Sequence, residues 1–170
     1  IADALNEIGD WWTLLVIREA VYGHRRFEDF RRELGVARNI LSDRLSRLCE
    51  ANIFEREPDP EDARSHLYEL TPKGRALWTV LAALVLWSNR WVAKPGEALV
   101  ELKDGPSGEA LIKLSALTKN GALADIKNTV LAPGPGATAK VKRRLAARKT
   151  LGESAPPVQR SSPSSRRRRK

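Results

Sequence analysis

The chain has 170 residues with 42% hydrophobic content, enough for one well-packed domain with something appended. Its formal net charge of +9 favours a polyanionic partner such as nucleic acid. A single cysteine, Cys49, excludes an internal disulfide and an all-cysteine metal site and suits a reducing cytoplasm, and no apolar run reaches the roughly 18 residues of a membrane span.

The elements follow in chain order. Ile1 to Ile8 is expected to form a short amphipathic helix, with Ile1, Ala4, Leu5 and Ile8 on one stripe. Asp10 is a candidate N-cap for a helix from Trp11 to about Val21, on which Trp12, Leu15, Val16 and Glu19 follow helical spacing. Phe27 to Leu34 reads as a third helix and Ala37 to Asn52 as a fourth, with Ile40, Leu41, Leu45 and Leu48 inward. The short turn at Gly35 makes this pair a helix-turn-helix. Ile53–Glu57 and Leu67–Leu70 read as two strands joined by a long, turn-rich tip. Thr71 and Pro72 then open a helix running to about Ala93, whose Leu84, Trp87 and Trp91 call for a partner helix. The expected fold is therefore mainly α with a small β-hairpin wing.

Pro95 and Gly96 mark a boundary after residues 1–94. Residues 97–132 read as a small appendage with short strands at 98–102, 111–114 and 126–131. Residues 133–170 read as a Pro/Gly linker, a basic helix over Lys140–Lys149 and a low-complexity tail ending in Arg166–Lys170, expected to be disordered. The charge follows these boundaries. Residues 1–94 carry 14 Lys+Arg against 15 Asp+Glu, a net of −1, whereas residues 95–170 carry 16 against 6, a net of +10. The absence of Met and the start at Ile1 read as a chain whose natural start lies upstream.

Four segments resemble the HxlR-type regulators, relatives of the MarR-type winged helices. Ile8-Gly9-Asp10-Trp11-Trp12-Thr13-Leu14-Leu15 is similar to their IGDRWTLL segment, and Arg25-Arg26-Phe27 to their RRF. Ile40-Leu41-Ser42-Asp43-Arg44-Leu45-Ser46-Arg47-Leu48 is similar to their recognition helix LLSQRLRRL, and Tyr68-Glu69-Leu70-Thr71-Pro72-Lys73-Gly74 to YSLTPLG. The resemblance covers residues 1–94. It implies a cytoplasmic homodimer, with dimer contacts from Ile1, Leu5, Ile8, Leu84, Trp87 and Trp91. It also implies gene repression or activation in response to a small molecule or reactive species. Two departures stand out: Trp11 replaces a common arginine, and the chain begins too late to show the sensing cysteine of many members. Residues 97–136 are similar to a ribbon-bearing extension of some members, here without its cysteines.

Arg38, Asn39, Ser42, Asp43 and Arg44 are the candidate DNA contacts on the fourth helix, since Arg pairs with guanine and Asn with adenine in the major groove. Arg44 has three readings: a base, a phosphate, or an ion pair with Asp43 or Glu50. Arg25 and Arg26 suit a phosphate at a helix N-terminus, or a surface pair with Glu28 or Asp29. Arg64 and His66 sit near the wing, although its tip is acidic. The five tryptophans read as core and dimer packing or as an aromatic effector pocket, and Cys49 as a buried inert residue or a sensor. No catalytic constellation, cofactor or metal site is expected. The leading expectation is a sequence-specific dimeric regulator, most readily a repressor, on double-stranded DNA. The alternative is a non-specific architectural binder driven by the basic tail.

Overall fold

A computed structural model of the chain describes residues 1–125 and 129–146. The chain divides into two units, Ile1–Leu114 and Ser115–Lys170.

The first unit carries six helices and one hairpin: α1 (Ala2–Ile8), α2 (Trp11–Val21), α3 (Phe27–Leu34), α4 (Arg38–Glu50), β1 (Phe54–Asp59), β2 (Asp62–Leu70), α5 (Pro72–Arg75) and α6 (Trp78–Trp91). Its core gathers Val16 and Ile17 of α2, Phe30 of α3, Leu41, Leu45 and Leu48 of α4, and Ile53 and Phe54 leading into the hairpin. Phe30 is fully buried and meets Phe54 and Tyr68 edge to face, at ring-centroid distances of 6.2 and 6.5 Å. These aromatic contacts lock helix α3 onto the wing. Ile40, expected inward, is exposed, because the buried stripe of α4 runs through positions 41, 45 and 48 and leaves position 40 on the neighbouring outer face.

Local chemistry explains the boundaries. The Asp10 carboxylate accepts from the Trp12 and Thr13 N–H groups and caps α2. Gly35 ends α3 at φ 60°, a left-handed conformation that glycine adopts without steric cost. The Thr71 hydroxyl accepts from the Gly74 N–H and donates to the Asn52 carbonyl, so it both caps α5 and closes the hairpin base.

Three expectations are corrected. The helix from Thr71 to Ala93 is split at Ala76–Leu77 into α5 and α6. Gly74 lies so close to the hairpin that a Cβ there would stand 2.2 Å from the Ile53 carbonyl oxygen, and after this contact the chain turns into α6 through i→i+3 bonds. The long hairpin tip is a short one. The strands pair from Phe54↔Leu70 to Asp59↔Asp62, and a register shift between Pro58 and Asp59 takes up residues 63–65. In the appendage, the segments at 98–102 and 111–114 are not strands. Pairing occurs instead at β3 (Ala116–Leu117) and β4 (Leu123–Ala124) of the second unit, around the Thr118–Gly121 turn. In the first unit a Lys103↔Ala110 bridge closes a turn held by Asp104, whose side chain accepts from the Ser107 hydroxyl and N–H. The strand expected at 126–131 lies partly outside the described residues.

Of the residues expected at a dimer face, Leu5, Trp87 and Trp91 are 58%, 58% and 56% exposed, and Ile1 and Leu84 are exposed as well. Ile8 is half-buried and packs on the core. The second unit ends, among described residues, in helix α7 (Ala139–Ala146). The Arg166–Lys170 run and the last residues of the expected basic helix lie outside the described residues.

Candidate nucleic-acid interface

Helices α3 and α4 join through the Gly35 turn, and the apolar stripe of α4 holds it on the core. That leaves Arg38, Asn39, Ser42, Asp43 and Arg47 exposed together on the outer face. Asp43 pairs with Arg47 one turn on, at 3.1 Å. Arg47 was absent from the sequence candidates, although its i,i+4 spacing from Asp43 was the signal that could have found it. Arg38 pairs with Glu28 and lies 5.1 Å over the Phe27 ring. Arg31 also bonds Glu28 at 2.7 Å, and these two cations hold the Glu28 carboxyl below its usual range.

The wing meets this surface along a groove of about 600 Å³, lined by residues that include Arg26, Phe27, Arg38, Arg64, His66 and Tyr68. Four of the sequence candidates, from three separated segments, thus surround one concavity. Arg64 is exposed, and its backbone N–H donates to Asp62 Oδ1 at 3.0 Å.

Arg26 has a different setting. Its Nε donates to Asp59 Oδ2 at 2.7 Å, and Nη2 reaches Glu61 Oε2 at 2.5 Å. Asp59 is 3% exposed and also accepts from the Glu61 N–H and the Ser65 hydroxyl. The Arg26 guanidinium, followed by the Glu61 N–H, holds the Asp59 carboxyl far below the ordinary carboxylate range. Arg26 therefore ties the start of α3 to the wing turn; its partners are neither Glu28 nor Asp29. The pH dependence follows from the sign of the shift. The folded value lies below the unfolded one, so the stabilisation is complete above about pH 4 and fades as pH falls towards the folded value. Asp59→Asn should lower Tm at pH 7 by clearly more than at pH 2.5 in paired thermal melts. An equal loss at both pH values would contradict the assignment.

Arg25 bonds Glu69 of β2 at 2.8 Å and takes no part in the Arg26 network. Arg44 lies on the inner side of α4, with its Nη2 2.9 Å from Asp10 Oδ2 and its Nε buried without a partner. Its partner is neither Asp43 nor Glu50. Asp10 thus caps α2 with one oxygen and anchors α4 with the other. Cys49 is half-buried on α4, and burial pushes its thiol up, away from the reactive thiolate.

The HxlR-like helix-turn-helix model matches residues 7–95, the stretch that builds this surface. An uncharacterized HTH-type transcriptional regulator of Mycobacterium tuberculosis strain H37Rv, Rv3095, is 36% identical over 141 residues, covering 83% of this chain and 89% of its own. This chain belongs to the HxlR-like family. As an HxlR-like protein it is a DNA-binding transcriptional regulator and not an enzyme. YodB, an HTH-type transcriptional regulator of Bacillus subtilis, is 29% identical over 99 residues, covering 58% of this chain and 88% of its own. Among solved structures, the Pseudomonas aeruginosa protein PA1374, described as a candidate transcription factor, aligns with a TM-score of 0.62 and 35% identity over 85% of this chain and 98% of its own. The similarly described PA1607 aligns with a TM-score of 0.67 and 34% identity, over 75% of this chain and 89% of its own. Among the described residues of this HxlR-like regulator, no helix is long and apolar enough to cross a membrane.

Proposed function

We propose that this regulator acts as a cytoplasmic homodimeric repressor, reading a palindromic operator through the outer face of α4 and the wing groove. The observation that carries the reading is the convergence of Arg38, Arg64 and His66 on one groove beside the exposed Asn39, Ser42 and Asp43. Arg38 and Asn39 are the base readers and Ser42 and Asp43 flank them, with Arg64 and His66 following the backbone. Exposed ion pairs are worth only about 0–1 kcal/mol, so Arg38 exchanges Glu28 for DNA at little cost. Arg44 braces this surface from behind, held by the half-buried Asp10, whereas Arg26 lines the groove and is held there by the buried Asp59. Arg25 remains a candidate phosphate contact, since its pair with Glu69 is exposed.

Dimer contacts are assigned to the exposed apolar faces of α1 and α6, through Ile1, Leu5, Leu84, Trp87 and Trp91, with Ile8 supporting α1 from below. Two such heads place their half-sites about one helical turn apart. An effector site is assigned to the apolar groove of about 490 Å³ between α2, α6 and the chain near Val100 and Leu102. Trp11, Tyr22 and Trp78 give it an aromatic lining. A small apolar molecule seated there would separate α2 from α6 and shift one head against the other.

Fluorescence anisotropy with the gene's own upstream region tests the reading. Arg38→Ala or Asn39→Ala should each cost about 1–3 kcal/mol of discrimination between operator and random duplex. An upstream region bound no better than random DNA by the parent protein would remove the proposal.

A further inference from the structure

We infer that helix α7 is a second DNA-binding element, a sequence-independent clamp on the phosphate backbone lying outside the residues that the family model matches. The inference rests on the DNA-binding reading above and adds a surface to it. The reading domain has a shortage of free positive charge. Residues 1–94 carry a net of −1, from 14 Lys+Arg against 15 Asp+Glu, and Arg25, Arg26, Arg31, Arg32, Arg38, Arg44 and Arg47 each pair with a carboxylate. Such a surface can recognise DNA once docked but attracts it weakly from a distance.

Helix α7 has the opposite character. Its eight residues, Ala139–Ala146, contain Lys140, Lys142, Arg143 and Arg144 and no acidic residue. None of these four cations pairs with a carboxylate of the described residues, and all four are exposed. Lys140, Arg143 and Arg144 share one face at i, i+3 and i+4, while Val141 and the half-buried Leu145 lie on the other. The helix starts crisply, because the Thr138 hydroxyl accepts from the Val141 N–H at 3.4 Å and the Thr138 carbonyl from the Lys142 N–H at 2.9 Å. The four cations lie within five consecutive residues, about 6 Å of helix axis, so α7 presents a dense local positive charge to a phosphate backbone. Two aliphatic side chains are too small an apolar face to hold a helix in a membrane interface, which favours DNA over an anionic lipid surface.

The test uses the full chain with Lys140, Lys142, Arg143 and Arg144 all replaced by alanine, a strong helix former. Affinity for the operator duplex and for a random duplex is measured against NaCl concentration. Each lost phosphate contact should reduce the log–log salt slope by about 0.9, so a fall of roughly 2–4 is expected, with the operator-to-random ratio unchanged. Arg143→Lys with Arg144→Lys should retain the parent slope. The clamp is overturned if the quadruple variant keeps the parent slope or loses affinity for the operator alone. It is also overturned if the cations are needed for phosphatidylserine vesicles and not for random DNA. Should the parent fail to prefer its operator, the sequence-reading proposal falls, whereas the salt slope still decides the role of α7.

Discussion

Replacing Phe30 with alanine is expected to lower the unfolding free energy by about 3–5 kcal/mol, the cost of removing a large aromatic from a closed core. Phe30 is the side chain through which α3 meets both strands of the hairpin, at Phe54 and Tyr68, and it is fully buried. The substitution leaves a void bounded by the elements that must hold α4 at a defined angle, and the edge-to-face contacts with Phe54 and Tyr68 go with it. Small domains are stable by only about 5–15 kcal/mol, so the variant should approach the limit of folding. For a domain of this size the loss corresponds to a fall in Tm of roughly 15–30 °C. Phe30→Leu keeps most of the volume and should cost less than about 2 kcal/mol. Urea unfolding followed by tryptophan fluorescence measures both. A Phe30→Ala midpoint close to that of the parent would mean that α3 is not seated as described.

The second large effect is expected at Asp10. Asp10→Ala removes the α2 cap, worth about 1 kcal/mol, and leaves the Arg44 guanidinium, 22% exposed, without the carboxylate it pairs with. Together these should cost about 2–3 kcal/mol, below the value for a fully buried pair because both groups retain some water. Asp10→Asn separates the two parts, since asparagine caps a helix as well as aspartate but carries no charge. It should recover the cap and still lose about 1–2 kcal/mol at the Arg44 contact. Both variants should also weaken operator binding, because the Arg44–Asp10 pair adds to the apolar packing that holds α4 against α2. An Asp10→Asn urea midpoint equal to that of the parent would refute the anchor.

Most of the first unit was legible from periodicity and local chemistry. The apolar positions of α2, α3 and α4 repeat at helical spacing, Asp10 and Thr71 are cap residues, and Gly35 supplies a left-handed turn. Those signals are local, so they survive in a single sequence and place a helix-turn-helix followed by a hairpin. The basic excess near the C-terminus is equally a property of the sequence, and α7 occupies part of it.

Only the tertiary structure decided which charges are free. Arg26 reaches Asp59 across 33 positions and Arg25 reaches Glu69 across 44, and the partner of Arg44 is the cap of another helix. Sequence reasoning weighs near neighbours because local pairs share an element. A guanidinium instead takes whichever carboxylate the packing brings within about 3 Å. The same dependence on packing broke the last long helix at Ala76–Leu77, just after Gly74 meets the Ile53 backbone, and turned Ile40 outward. The candidate reading surface was therefore visible as a set of residues. Its division into paired and unpaired charges came from the folded arrangement, because only three-dimensional packing sets which carboxylate each guanidinium meets.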